Sequence, residues 1–409
     1  MIYNYNAGTG FAILNSAISV DASNNVSLNG KLNVKGDVTS VGVSSLLSSN
    51  QSLALDTSVL GNVTNSISVD ASGNSYTKAS PVNVKHFAFG ATGNGVTNDS
   101  TAIQAAINYA ALCGCKRVKF PAGTYLITTG LNLTELSGWI FEGDSELSTT
   151  LMLSTSGKPG IDMIGSNRIK FMNMEIMAAT GTAAPNVGLL MGRDSSGASA
   201  GWHRFENIQF QGAAAGSTFL AMIYQYGSEI NDFKNCELYV YNAGSIGVFF
   251  GGMNELNITS QYQTIATGQQ SSTTFKWDGG HLADYSALTT TAPKLIRLNN
   301  CRNVNICPAW MCTSSSIAYI HCWPNGAFNT VDTINVIGVR CEAGENGNPV
   351  NFINCEDTSG SIRIGTIMGN IFTATTAIIN TNAITHNPNL YLGIIMGNNF
   401  NVSPTYMII

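Results

Sequence analysis

The sequence predicts an all-β chain wound as a solenoid, and three observations carry that prediction. Gly365-Thr-Ile-Met-Gly-Asn-Ile-Phe372 and Gly393-Ile-Ile-Met-Gly-Asn-Asn-Phe400 share six of eight residues at an offset of 28, a period in the range of stacked repeats. Phe171-Met-Asn-Met-Glu-Ile176, Phe205-Glu-Asn-Ile-Gln-Phe210 and Phe233-Lys-Asn-Cys-Glu-Leu238 align as one motif, F-x-N-x-[EQ]-apolar, with separations of 34 and 28 residues. The third is composition: 42 glycines and only 11% charged residues, against about 25% charged in an ordinary soluble domain. Tight turns and uncharged hydrogen-bonding surfaces suit β-structure rather than helix bundles.

A chain of 409 residues with 44% apolar side chains is too apolar for disorder, and its length allows two compact domains or one elongated repeat. Nineteen basic and 24 acidic residues leave a net charge of −5. No run of lysine or arginine can follow a phosphate backbone, so nucleic acid is not an expected partner. The start, MIYNYNAGTG, has neither the cationic beginning nor the apolar core of a signal peptide. No stretch reaches the roughly 18 apolar residues of a membrane span. Neither membrane insertion nor export by the usual route is expected. The nine cysteines all follow residue 112 and show no paired zinc spacing, so they read as reduced, mostly buried thiols, the alternative being an unrecognised metal site; no cofactor is expected.

In chain order, residues 1–80 lack Cys, Trp, Pro, Arg, His and Glu altogether. The abrupt change near Pro81 marks a domain boundary. Within this part Ile18-Ser-Val-Asp-Ala-Ser23 recurs as Ile67-Ser-Val-Asp-Ala-Ser72, and period-two patterning predicts small strands. So thin a segment needs other copies of itself or a partner for stability, the alternative being a disordered leader. Residues 81–117 form a loop and capping helix: glycines at 90, 93 and 95, Asp99 or Ser100 as cap, then a helical face from Ala102 to Leu112. Lys116 to Ile127 reads as strand, Pro-Ala-Gly turn and strand. Residues 118–409 are the solenoid. A spacing near 28 leaves room for roughly ten coils of about 4.8 Å each, with Phe171, Phe205 and Phe233 stacked inside and Asn173, Asn207 and Asn235 as a ladder at a bend.

Gly90-Ala-Thr-Gly-Asn-Gly-Val-Thr-Asn-Asp-Ser-Thr-Ala-Ile-Gln-Ala-Ala-Ile107, followed by Val118-Lys-Phe-Pro-Ala-Gly-Thr-Tyr-Leu126, resembles the opening of the pectate-lyase-like, right-handed parallel β-helix proteins common among bacteriophage tailspikes. The likeness covers about 45 residues. Asn94 and Asn98 stand where the family commonly has Asp, a departure within a structural motif. The resemblance implies a homotrimeric tailspike on the virion, made in the host cytoplasm. Residues 1–80 would attach it to a phage tail or baseplate protein or assemble the trimer, and the β-helix would bind and cleave a bacterial surface polysaccharide.

Stacking predicts which residues meet. Glu175, Gln209 and Glu237 fall in one column, with the two carboxylates two coils apart, about 9 to 10 Å between Cα atoms. Inverting glycosidases place their acid and base roughly 6.5 to 9.5 Å apart, so Glu175 and Glu237 are catalytic candidates and Gln209 a sugar-binding one. Trp277-Asp-Gly-Gly-His-Leu-Ala-Asp284 follows a polar stretch, Thr264 to Thr274, that reads as a loop leaving the coil. Asp278, His281 and Asp284 could supply an acid, a base and an orienting partner beside Trp277 as a stacking surface. Glu342 and Glu345 are a further acid pair, and Trp202, Trp310 and Trp323 further aromatic candidates. Arg168-Ile-Lys170 matches the basic motif of polygalacturonases without the paired-aspartate and Gly-His-Gly elements. Nor does the sequence hold the aspartate cluster of calcium-dependent pectate lyases, which disfavours pectin degradation. Hydrolysis by paired carboxylates is the leading expectation. A polysaccharide lyase, a non-catalytic fibre or adhesin and, if residues 1–80 were a secretion element, a secreted monomeric pectinase remain open.

Overall fold

The computed structural model describes residues 18–20, 26–28, 68–69, 75–76, 81–86, 88–197, 200–213, 219–242, 244–252, 256–265, 272–285, 294–313, 318–323, 330–343, 351–355, 360–373, 377–380, 390–400 and 406–408. The chain divides into Met1–Ser52 and Leu53–Ile409. In the first unit Ile18–Val20 pairs antiparallel with Val26–Leu28. The second copy of the repeated segment supplies Ser68–Val69, paired antiparallel with Ser75–Tyr76.

The helix spans Ser100–Leu112 and buries Ile103, Ala106, Ile107 and Ala110 against Val82–Asn83, Arg117–Phe120 and Leu131–Asn132. Asp99 precedes it but does not cap it with its side chain. Its carboxylate turns instead to the glycine loop, accepting hydrogen bonds from the Thr92 and Gly93 amides at 2.6 and 3.0 Å. Asn98 Oδ1 accepts from the Ser100 amide at 3.1 Å, so an amide oxygen at 98 satisfies the free first-turn donor.

Ten coils follow, opening at Arg117, Ile140, Lys170, Gly201, Glu229, Ser272, Cys301, Thr330, Ser361 and Leu390. Each has three walls, and every wall pairs parallel, coil on coil. The first wall runs from Arg117–Phe120 to Leu390–Met396, the second from Gly123–Ile127 to Asn399–Phe400, and the third from Leu131–Asn132 to Tyr406–Ile408. This is a parallel β-helix, and its described residues are all-β apart from the capping helix and one short 3-10 turn. Among the described residues no helix is long and apolar enough to cross a membrane.

Side chains alternate in and out along each strand, and the inward ones form columns. Phe141, Phe171, Phe205, Phe233, Trp277, Ile306 and Val336 stand in register. Ring centroids along the aromatic part are 4.9, 5.6, 4.6 and 5.0 Å apart. The first and second walls meet at a corner in the left-handed region: Asn173, Asn207 and Asn235 have φ of 57, 53 and 51°, and Gly279, Gly338, Gly369 and Gly397 take over at 74, 72, 67 and 65°. Asparagine and glycine are the residues that visit this conformation at little cost. Asn207 Nδ2 donates to Asn173 Oδ1 at 3.0 Å. At Gly279 a side chain would also meet Asn235 Oδ1 at 2.6 Å. In the repeated Met-Gly-Asn segments, glycine makes the corner and the next residue turns inward, where Asn370 Nδ2 donates to Asn398 Oδ1 at 2.9 Å.

Register departs from the expected spacing once. Phe233 pairs with Trp277, a step of 44 residues, because the chain inserts a strap after the third-wall strand Ile246–Gly251. Leu256, Ile258 and Ile265 pack on a second apolar cluster that includes Leu190, Tyr224 and Phe249 on the outer face of the third wall. Ser260 Oγ and the Gln261 amide donate to Asp162 Oδ2 at 2.6 and 3.0 Å. Thr264 and Ile265 therefore do not protrude as expected: the Ser195 amide donates to Thr264 O at 2.8 Å, and Ser272 opens a wall strand. Residues 266–271 lie outside the described residues, as does most of 1–80.

The cysteines are reduced thiols, and seven of the nine are buried. Burial pushes the Cys236 thiol up to about 12, which keeps it protonated and unreactive at neutral pH.

Candidate functional site

The outward face of the second wall gathers the polar candidates. Thr150, Glu175, Gln209, Glu237, His281, Trp310 and Arg340 form one column, each paired with the next. Alternation explains their exposure: Glu175 sits between the buried Met174 and Ile176, and Glu237 between Cys236 and Leu238. A second outward column two residues along carries Gln211, Tyr239, Ala283, Cys312 and Glu342.

Two stretches that look separate in sequence are the same motif in successive coils. Trp277 takes the phenylalanine position of F-x-N-x-E, Gly279 the corner asparagine, and His281 the glutamate. His281 Nδ1 consequently lies 3.4 Å from Glu237 Oε1. Tyr239 OH donates to Glu237 Oε2 at 2.8 Å, and Thr150 Oγ1 donates to Glu175 Oε2 at 2.7 Å. Burial, and then the hydrogen bond to Glu237, push the Tyr239 phenol well above its usual value, so it remains a donor. Tyr285 stacks on Tyr239 and Tyr241 at 5.9 and 6.0 Å. Trp310 presents its ring edge-on to His281 at 5.6 Å while its Nε1 donates to Glu342 Oε2 at 2.8 Å. Arg340 Nη2 lies 2.5 Å from Glu342 Oε1. The result is a strip of carboxylates, amides and half-buried aromatic rings.

The other candidates go elsewhere. Trp277 is fully buried in the aromatic stack and offers no face to a sugar; the expectation of a stacking surface there is corrected by the register that turns it inward. Asp278 is on the outer face of the first wall, paired with Lys276 at 3.0 Å. Asp284 is buried at 0% exposure, continuing the inward position of Val240. Asp278, His281 and Asp284 therefore do not converge. Trp202 lies against Arg168 at 5.7 Å and Trp323 against Arg297 at 4.1 Å. Arg168 is a left-handed residue at φ 53° and Lys170 pairs with Glu206 at 2.6 Å, which accounts for that basic triplet structurally. Glu342 joins the second wall; Glu345 is outside the described residues. Sequence reasoning missed Tyr239, Tyr241, Tyr285 and Arg340. For Tyr239 the signal was present, since it lies two residues beyond Glu237 and so on the same strand face. Among the described residues no group of three or more His, Cys, Asp and Glu is placed to hold a metal ion.

Residues 81–169 match the family model described as rhamnogalacturonase A/epimerase, pectate lyase-like. No curated protein matches the chain. Among solved structures, the chain is similar to the A-module of the mannuronan C-5 epimerase AlgE4 of Azotobacter vinelandii, at 17% identity and TM-score 0.39, covering 80% of this chain and 97% of that one. It is also similar to PfbA, a surface adhesin of Streptococcus pneumoniae, at 15% identity and TM-score 0.42, covering 80% and 92%. A third is the enzymatically active domain of bacteriophage CBA120 tailspike protein 2, at 13% identity and TM-score 0.40, covering 86% and 47%. Residues 81–169 thus match a pectate-lyase-like family model, and the coils that follow continue that segment as one parallel β-helix.

Proposed function

We propose that this protein binds and cleaves a bacterial surface polysaccharide by hydrolysis along the second wall, with Glu175 and Glu237 as the carboxylate pair. The observation that carries this is the register Glu175–Gln209–Glu237, which sets the two acids two strand spacings apart, about 9.6 Å between Cα atoms. That separation leaves room for a water between an acid and a base, as inversion requires. Gln209 between them can hold a sugar hydroxyl. Trp310 further along the column and Tyr285 beside it offer rings to pyranose C–H groups. Incubating the purified protein with host capsule or lipopolysaccharide should release new reducing ends. Absorbance from an unsaturated uronate would show a lyase instead.

A second reading, a non-catalytic adhesin, is favoured by one feature: both oxygens of Glu237 are already engaged, by Tyr239 and His281, as suits a fixed hydrogen-bonding surface. Binding without either product would select it.

The proposed setting is a virion-borne homotrimer made in the host cytoplasm, attached through residues 1–80 to a phage tail or baseplate protein. The abrupt compositional change at Pro81 supports a separate attachment region. Ile337, Met368, Ile394 and Met396, 37 to 55% exposed on the first wall, support association between copies. Light scattering giving three times the chain mass is the expected result; a monomer would remove the assembly.

A further inference from the structure

The basic groups on the second wall are placed in a way that restricts its ligand. From Glu175 to Glu342 the outward columns carry three carboxylates, Glu175, Glu237 and Glu342, and two basic groups, His281 and Arg340, among the described residues. Each basic group faces a carboxylate of the same wall: His281 faces Glu237 at 3.4 Å, and Arg340 faces Glu342 at 2.5 Å. Among the described residues Glu175 faces no cation, and it accepts from Thr150 at 2.7 Å. Recognition of a carboxylated sugar needs an unspent cation, best an arginine fork, aimed at the ligand. Here an incoming uronate would meet the Glu175 carboxylate, and the two basic groups are already engaged by Glu237 and Glu342; like charges a few ångströms apart in a partly desolvated site repel. The remaining lining, Gln209, Gln211, Tyr239, Tyr241, Tyr285 and Trp310, consists of neutral donors, acceptors and rings.

We infer that the second wall takes an uncharged glycan, built of neutral hexoses or N-acetylated amino sugars, and excludes polyuronates. The inference rests on the proposed placement of the glycan on that wall. Arg340 is the specificity-determining residue: Glu342 engages its Nη2 and offsets the charge that would otherwise attract an anionic sugar.

Affinity electrophoresis tests this with two probes of one backbone, polygalacturonate and the same polymer after its carboxyl groups are reduced to alcohols. The wild-type protein should migrate freely through polygalacturonate at low salt. Glu342→Gln, which releases the Arg340 guanidinium, should become retarded there, at least tenfold more than wild type, and the gain should vanish in 0.5 M salt, about where screening is complete over a few ångströms. Glu342→Gln combined with Arg340→Gln should lose it. Retardation of the wild type by polygalacturonate as strong as by the reduced polymer overturns the inference, and so does a Glu342→Gln variant that gains nothing. Failure of the underlying placement looks different: retention on the reduced polymer that Trp310→Ala and Glu237→Gln leave unchanged would put the glycan elsewhere, while the polygalacturonate results still report the charge balance of the wall.

Discussion

His281 and Glu237, separated by 44 residues in the chain, are neighbours in adjacent coils, with Nδ1 3.4 Å from Oε1. Glu237 therefore has one oxygen on an imidazole and the other on the Tyr239 hydroxyl at 2.8 Å. Its orientation is set before any ligand arrives, which is what a catalytic or binding carboxylate requires.

Replacing that carboxylate without changing its shape isolates its chemistry. Glu237→Gln should lower the release of reducing ends by about 10²- to 10⁴-fold, the usual contribution of a general acid or base, and leave the thermal midpoint almost unchanged because the side chain is on the outer face. Tyr239→Phe should cost less, about tenfold, through looser positioning. A Glu237→Gln protein cleaving at the wild-type rate would remove the residue from the site.

Trp277 and Trp310 should behave oppositely. Trp277 is buried in its column between Phe233 and Ile306, and Trp277→Ala should destabilise the fold by about 3–5 kcal/mol, as for other large core truncations. Trp310→Ala, on the outer column, should leave the unfolding midpoint within about 1 kcal/mol and abolish retention on glycan. Urea denaturation alongside affinity electrophoresis separates the two effects.

Acid should weaken the coils through His203. This side chain is 1% exposed, and burial lowers its pKa to about 3. Nδ1 accepts from the Ile169 amide at 3.4 Å, and Nε2 has no hydrogen-bond partner among the described residues, so the added proton of the imidazolium would face an amide hydrogen. With the folded pKa depressed below the unfolded value of about 6.5, the unfolded chain binds the extra proton. The histidine thus carries no penalty above about pH 6.5, and stability falls as pH drops from there towards 3, by about 2 kcal/mol at pH 5. Urea midpoints measured from pH 7 to 4.5 should show this slope, and His203→Gln should flatten it.

The corner should tolerate residues by backbone rather than by polarity. Asn207 has φ 53°. Asn207→Gly should be nearly neutral, whereas Asn207→Val should cost about 1–2 kcal/mol for a β-branched residue forced into the left-handed region. Equal destabilisation by both would instead assign the cost to the lost bond to Asn173.

Much of this architecture was legible in the sequence because a solenoid repeats the same local problem in each coil. An apolar residue must point inward, a left-handed residue must turn the corner, and an outward residue follows. Phe171, Phe205 and Phe233 with Asn173, Asn207 and Asn235 solve it in nearly the same words, so the stack, the bend and the Glu175–Gln209–Glu237 column could be read by alignment. Gly-Asn at 369–370 and 397–398 solves it differently, with the asparagine moved inside.

What sequence alone determined was the winding: which residues repeat, which face inward, and roughly ten turns of coil. Tertiary structure decided how coils of unequal length come into register, since that depends on where an insertion is accommodated rather than on any local pattern. The strap after Gly251 folds back over the third wall and buries its own apolar residues there. It thereby brings His281 beside Glu237 and turns Trp277 into the core. The energy that settles this choice comes from contacts between residues tens of positions apart, which a local reading of the chain does not contain.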